Sequence, residues 1–146
     1  MNVISENLAR VQNRVSAALV QNGMLDTEFG PKIVAVSKRQ PKDKINQCLQ
    51  AGHRVFGENK VAEASERWAD LKKAYTDIKL HLIGPLQTNK ARDAIQLFDV
   101  IEVVDREKLA KVLQKETEKL NKNIEFMVQV NTGEETQKSG ISPNEA

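Results

Sequence analysis

The chain has 146 residues, with 22 Lys and Arg against 20 Asp and Glu, two His and one Cys. That length allows one domain with a real core, and a net charge of +2 gives nucleic-acid binding no electrostatic support. No apolar run approaches the roughly 18–20 residues of a membrane span and the acid-containing, amphipathic N-terminus is unlike a secretory signal, so a soluble, cytoplasmic protein is expected.

Residues 3–22 place Val3, Ile4, Leu8, Val11, Val15, Ala18 and Leu19 at spacings of three and four. This predicts a one-sided amphipathic helix, stopped by Asn22-Gly23. Short apolar, β-branched runs follow at 32–37, 54–56, 80–83, 100–104 and 124–130, and each reads as a strand. The first, with Ile33, Val34, Ala35 and Val36 in succession, fits burial on both faces. Helical patterns fill the intervals at 42–51, 58–75, 88–97 and 106–121. The clearest sets Leu109, Val112, Leu113 and Leu120 in a Lys/Glu-rich segment with a solvated outer face. Cys48 falls inside the 42–51 pattern as a small packing residue. As the only cysteine it precludes an intrachain disulfide and disfavours a cysteine metal site.

This alternation is a run of βα units, which make parallel sheets with right-handed crossovers. Two closures fit: a doubly wound sheet, or part of a (β/α)8 barrel. The last residues favour the barrel. Ser142 is a preferred N-cap, Pro143 suits the first helical position and Glu145 the capping-box position, so a helix begins where the chain stops. A whole (β/α)8 barrel takes about 250 residues. The expected fold is therefore α/β of the (β/α)8 TIM-barrel type, truncated after about five βα units, with an extra N-terminal helix. Residues 1–146 form a single partial domain in this reading. Its fifth strand has high β-propensity and one charge, an edge open to homo-oligomer formation.

In parallel α/β folds, ligands bind at the C-terminal ends of the strands. Here those ends carry Ser37-Lys38, Gly57-Glu58-Asn59, Gly84-Pro85, Asp105-Arg106 and Asn131-Thr132-Gly133. Lys38 continues the face of Val34 and Val36 and so points into the barrel mouth. Partial desolvation there would lower its pKa, as Schiff-base chemistry with a carbonyl requires. Against this stands the ordinary reading: the chain has 15 lysines, and most lysines are solvated surface. His81, inside a predicted strand, reads as a hydrogen-bonded core residue before it reads as a ligand. Neither His53 nor His81 has companions at metal-ligand spacing, so no metal is expected. The 84–90 loop lacks the Gly-Lys-Ser/Thr ending of a Walker site, and no Gly-x-Gly-x-x-Gly is present.

Four segments stand in the order and spacing of a known family. They are Ala35-Val36-Ser37-Lys38, then Phe56-Gly57-Glu58-Asn59, then residues 81–90 from His81 through Gly84-Pro85 to Lys90, and last Gln129-Val130-Asn131 followed by Lys138-Ser139-Gly140-Ile141. On these the sequence resembles the pyridoxal phosphate homeostasis proteins, relatives of the alanine racemase N-terminal barrel. The resemblance implies a fold-type III barrel holding pyridoxal 5′-phosphate (PLP) as an internal aldimine on Lys38, which matches the family's Ser-Lys motif. Asn59 matches the Asn of Gly-Glu-Asn beside the cofactor ring, and His81 and Asn131 match positions near the barrel mouth. These four are the cofactor-binding residues that the resemblance implies, with no catalytic residue among them. Family members are thought to buffer or deliver PLP and to influence vitamin B6 balance, without established turnover.

The family's later Ser-x-Gly-Met and Arg-x-Gly segments have no counterpart in the chain. With the phosphate cradle gone, the resemblance implies weak or absent PLP binding. Two alternatives stand beside the homeostasis reading. One is a PLP-dependent racemase-like enzyme, which needs a second acid/base, usually a tyrosine; the only tyrosine, Tyr75, lies near the end of a predicted outer helix. The other is a fragment that binds no PLP.

Overall fold

The computed structural model describes residues 3–24 and 30–146. The first helix, α1 (Val3–Gln21), ends where Asn22-Gly23 implies. Gly23 takes φ +68 and its N–H bonds Val20 O, while Met24 N–H reaches back to Leu19 O at 2.8 Å. These are the two bonds of a left-handed glycine stop. The helix lies against α2 (Lys42–Gln50).

Five strands alternate with the remaining helices: β1 (Ala35–Val36), β2 (Val55–Glu58), β3 (Lys79–Leu82), β4 (Val100–Val104) and β5 (Glu125–Val128), with α3 (Val61–Ala74), α4 (Ala91–Leu97) and α5 (Glu107–Leu120) between them. All neighbouring pairs are parallel, in the order β1-β2-β3-β4-β5. Each βα unit therefore moves the chain one strand further in the same direction. A doubly wound sheet reverses at a switch point, so this order selects the (β/α)8-type winding of the two closures.

Alternation along β2 shows which face does what. The Phe56 ring lies 4.6 Å from the Trp68 ring of α3, and Leu80, Leu82, Ile101 and Val103 join it against Ile45, Leu49, Ile95, Leu109 and Leu113 of the helices. Burying one such side chain contributes about 1.5–3 kcal/mol, so this layer between sheet and helices holds the fold. Gly57 faces the other way, where an added Cβ would meet Val34 Cγ1 and Ile83 Cδ1 at 3.0 Å. The C-terminal end of α4 is fastened by two lysines. Lys72 Nζ donates to Leu97 O and Asp99 Oδ2, and Lys122 Nζ donates to Ile95 O and Gln96 O, which places positive charge at the negative end of the helix. Burial first, and the Lys72 charge second, push the Lys122 ammonium below its usual pKa.

Several boundaries differ from expectation for physical reasons. β1 is two residues long, not six, because only β2 is beside it to pair with. The predicted burial of this run on both faces is not found: Val36 is 48% exposed, since helices cover one face of the sheet only. The pattern at 58–75 becomes a helix only at Val61, because Glu58 still pairs with Leu82 in the sheet and Lys60 is extended. The 88–97 pattern divides into a 3-10 turn, Thr88–Lys90, and α4. At β5, Phe126, Met127 and Val128 are 42%, 46% and 61% exposed. Pro143–Glu145 form a 3-10 turn, and Ser142 Oγ donates to the Glu145 carboxylate at 3.0 Å instead of receiving a backbone N–H.

Candidate functional site

The site is built where β1, β2 and β3 end. Val36, Gly57 and His81 are register partners across the three strands. Lys38 and Asn59 each lie two residues beyond that row, in the turn after β1 and the bend after β2, and so at adjacent strand ends. Lys38 occupies a tight turn in which Gln40 N–H bonds Ser37 O at 3.1 Å. Arg39, the next residue, has φ 58, the left-handed region that a branched or long side chain enters at a cost. Lys38 itself is exposed; the desolvation expected at the mouth is not found, because nothing among the described residues covers it.

Ser37 is the anchor of this turn and is 4% exposed. Its N–H bonds Gly57 O at 3.0 Å and its hydroxyl donates to Glu58 Oε1 at 2.6 Å. The same carboxylate oxygen accepts from Arg67 Nη1 at 2.8 Å and Trp68 Nε1 at 3.0 Å, both on α3. Glu58 is wholly buried, and its other oxygen, Oε2, has no hydrogen-bond partner.

Asn59 is half-buried at the rim. A Cβ at Gly84 would come within 2.3 Å of Asn59 O and 2.7 Å of its Cα, so only glycine lets the ends of β2 and β3 approach this closely. Asn59 also borders a cavity of about 460 Å³ with Lys60, Val61, Gln87 and Lys90. His81 Nδ1 donates to Glu102 Oε1 of β4 at 2.5 Å, with the His81 side chain 12% exposed. One layer down on β3, Lys79 Nζ bonds Glu125 Oε1 at 3.0 Å. That hydrogen bond and charge, with smaller contributions from His81 and Lys32, hold the Glu125 carboxyl below the usual carboxylate range.

Asn131 lies apart from these, beyond β5. Its side-chain amide donates to Glu135 O at 2.8 Å and its carbonyl accepts Glu135 N–H at 3.3 Å, while its own N–H bonds Ile141 O. The structure thus brings Lys38, Asn59 and His81 to adjoining strands and assigns the Asn131 side chain to its own loop. Sequence reading missed Glu58 as the anchor of Ser37 and Glu102 as the partner of His81. The Phe56-Gly57-Glu58 alternation, which turns Glu58 toward the helices, was the available signal for the first. Among the described residues no group of three His, Cys, Asp or Glu could hold a metal, and no helix is long and apolar enough to cross a membrane.

The family model for the alanine racemase N-terminal domain matches residues 4–146. The chain belongs to that family. It is 37% identical over 142 residues to the pyridoxal phosphate homeostasis protein of Pasteurella multocida and 35% identical to that of Escherichia coli K12, in each case over 97% of this chain and 60% of the relative. The chain therefore spans about 60% of the length of these curated relatives. Among solved structures it is similar to PipY of Synechococcus elongatus without PLP, with TM-score 0.83 and 33% identity, over 97% of this chain and 60% of that one. It is also similar to PipY with PLP bound, with TM-score 0.77 and 30% identity, over 97% of this chain and 59% of that one. The alanine racemase N-terminal fold is the barrel that the strand order describes.

Proposed function

We propose that the chain binds PLP at the ends of β1–β3, with the Lys38 amine as its covalent point of attachment, and serves PLP homeostasis without catalytic turnover. The observation that carries this reading is Lys38 itself: an amine at the end of the first strand, in a turn fixed by buried groups, beside Asn59 on the neighbouring strand end. The residues present fit the ring and aldehyde of the cofactor. Val34 and Ile83 close over Gly57, where an added Cβ would meet both at 3.0 Å, so the surface beside these strand ends is apolar. When bound, PLP supplies an aldehyde that an amine captures reversibly and an aromatic ring that seats on such a surface.

The chain's own groups divide the work. Lys38 presents the amine to solvent, and Asn59 offers an amide donor and acceptor at the rim. Glu102 fixes the His81 ring through Nδ1, which leaves Nε2 as its free nitrogen. Asn131 contributes by ordering the 131–135 loop. Tyr75 caps α3 with the Arg54 guanidinium 5.2 Å from its ring centroid and so serves the helix layer, not a racemase's acid/base position. Residues 1–146 act as one partial barrel domain in this proposal, and the exposed Phe126, Met127 and Val128 of β5 support self-association along that edge. The test is a titration with PLP followed by absorbance. A visible band near roughly 420 nm, the region of protonated lysine–PLP adducts, should grow in the parent chain and be absent in Lys38→Ala; equal bands in both would overturn the assignment.

A further inference from the structure

The turn that carries Lys38 is restrained more heavily than an exposed lysine requires. Its first residue, Ser37, is buried and bonded through both backbone and hydroxyl. Its third, Arg39, is held at φ 58, a conformation that persists only where the surroundings over-determine it. The group that completes this restraint is a buried carboxylate on the next strand. Glu58 collects Ser37 Oγ, Arg67 Nη1 and Trp68 Nε1 on one oxygen, so a single atom ties the end of β1 to β2 and α3. Phe56 and Glu58 share the helix-facing side of the sheet, and Glu58 is wholly buried there while Lys38 is exposed, so the carboxylate acts on Lys38 only through the turn.

We propose that Glu58 is a positioning residue for Lys38, acting through Ser37 and the strained Lys38-Arg39 turn. The proposal rests on the PLP-binding reading of Lys38 and deepens it. Buried ion pairs are weak contributors to stability when compared with apolar replacements, so stability alone does not account for a carboxylate at this point. Its two neighbours offer a better reason: Ser37, which it bonds across the strands, and Asn59, which follows it in the chain, flank the site on one side each.

The experiment measures the rate at which PLP labels Lys38 in the whole chain. The amine and the aldehyde condense with loss of water, and borohydride reduces the product to a stable secondary amine that peptide mapping locates. Exposed Lys42 serves as the internal standard. In Ser37→Ala the Lys38 rate relative to Lys42 should fall about tenfold, the factor expected when one hydrogen bond to a charged group no longer holds the turn. Ser37→Thr, which keeps the hydroxyl, should restore it to within about twofold. Arg39→Gly relaxes the turn from an exposed position, so it should lower the relative rate while leaving thermal stability equal or higher. A purely structural role for the turn would not separate those two readouts. If the parent chain labels Lys38 selectively and Ser37→Ala and Arg39→Gly do so equally, the positioning claim is overturned alone. Failure of Ser37→Thr to rescue Ser37→Ala would overturn it as well. If the parent chain shows no preference for Lys38 over Lys42, the binding reading and the positioning claim fall together.

Discussion

Replacing Glu58 by leucine should be among the most damaging single changes in the chain. The Glu58 side chain is 0% exposed and its partner Arg67 15%, so the substitution strands a guanidinium with little water to replace its acceptor. It also leaves Ser37 Oγ and Trp68 Nε1 without the oxygen they share. Breaking a buried pair by removing one partner costs about 3–5 kcal/mol, against a total stability of about 5–15 kcal/mol for a domain. At about 3 °C per kcal/mol for a chain of this size, the melting temperature should drop by about 10–15 °C. Adding Arg67→Met removes the stranded charge and should recover about 2 kcal/mol, with the serine and tryptophan donors still unsatisfied. Urea unfolding with far-UV circular dichroism reads both values, and the surface pair Lys73–Asp70, 78% and 94% exposed, provides a control whose removal should leave stability unchanged. A loss below about 1 kcal/mol in Glu58→Leu, comparable to that of a surface pair, would show that this carboxylate does not anchor the strand ends.

Gly84→Ala should lose at least about 3 kcal/mol or fail to fold, since its Cβ would strike Asn59 O at 2.3 Å and only backbone movement relieves the overlap; stability close to that of the parent chain would mean that β2 and β3 part there easily. Burial holds the His53 pKa below its ordinary 6.5, so the proton is bound more weakly in the folded chain than in the unfolded one. Its contribution to stability is complete above about 6.5 and is lost as the pH falls toward the folded value. His53→Gln, which can still donate to Val55 O, should flatten that acid limb, and an unchanged limb would assign it to other groups. Val128→Lys places a charge on the exposed β5 edge and should shift sedimentation toward monomer; if the parent chain is monomeric at every concentration, the edge does not mediate self-association.

The order of βα units was readable because apolar runs and amphipathic stretches alternate along the whole chain, and the helix stop at Gly23 is written in the residues themselves. The barrel winding was reached by an argument from Ser142 and Pro143, whereas the decisive fact is the monotonic strand order, a long-range property that periodicity does not report. Strand boundaries moved for the same reason: whether Lys32 or Glu58 belongs to a strand depends on which residue lies opposite. Lys38 stood out through its place at a strand end, and Asn59 and His81 fall on the neighbouring strands. Glu102 was invisible, because a cross-strand histidine–carboxylate pair exists only once the register of β3 and β4 is known. The solvent exposure of Lys38 was likewise beyond the sequence, since it depends on how much of the mouth is covered.

The most direct test of the proposed function is the position of the PLP label itself. After incubation with PLP and reduction by borohydride, intact mass should show one adduct per chain, and peptide mapping should place it on Lys38, with Lys38→Ala losing the adduct while keeping its melting temperature, because an exposed amine leaves no core cavity behind. Label spread at comparable yield over several of the 15 lysines would contradict the assignment of Lys38 as the point of attachment.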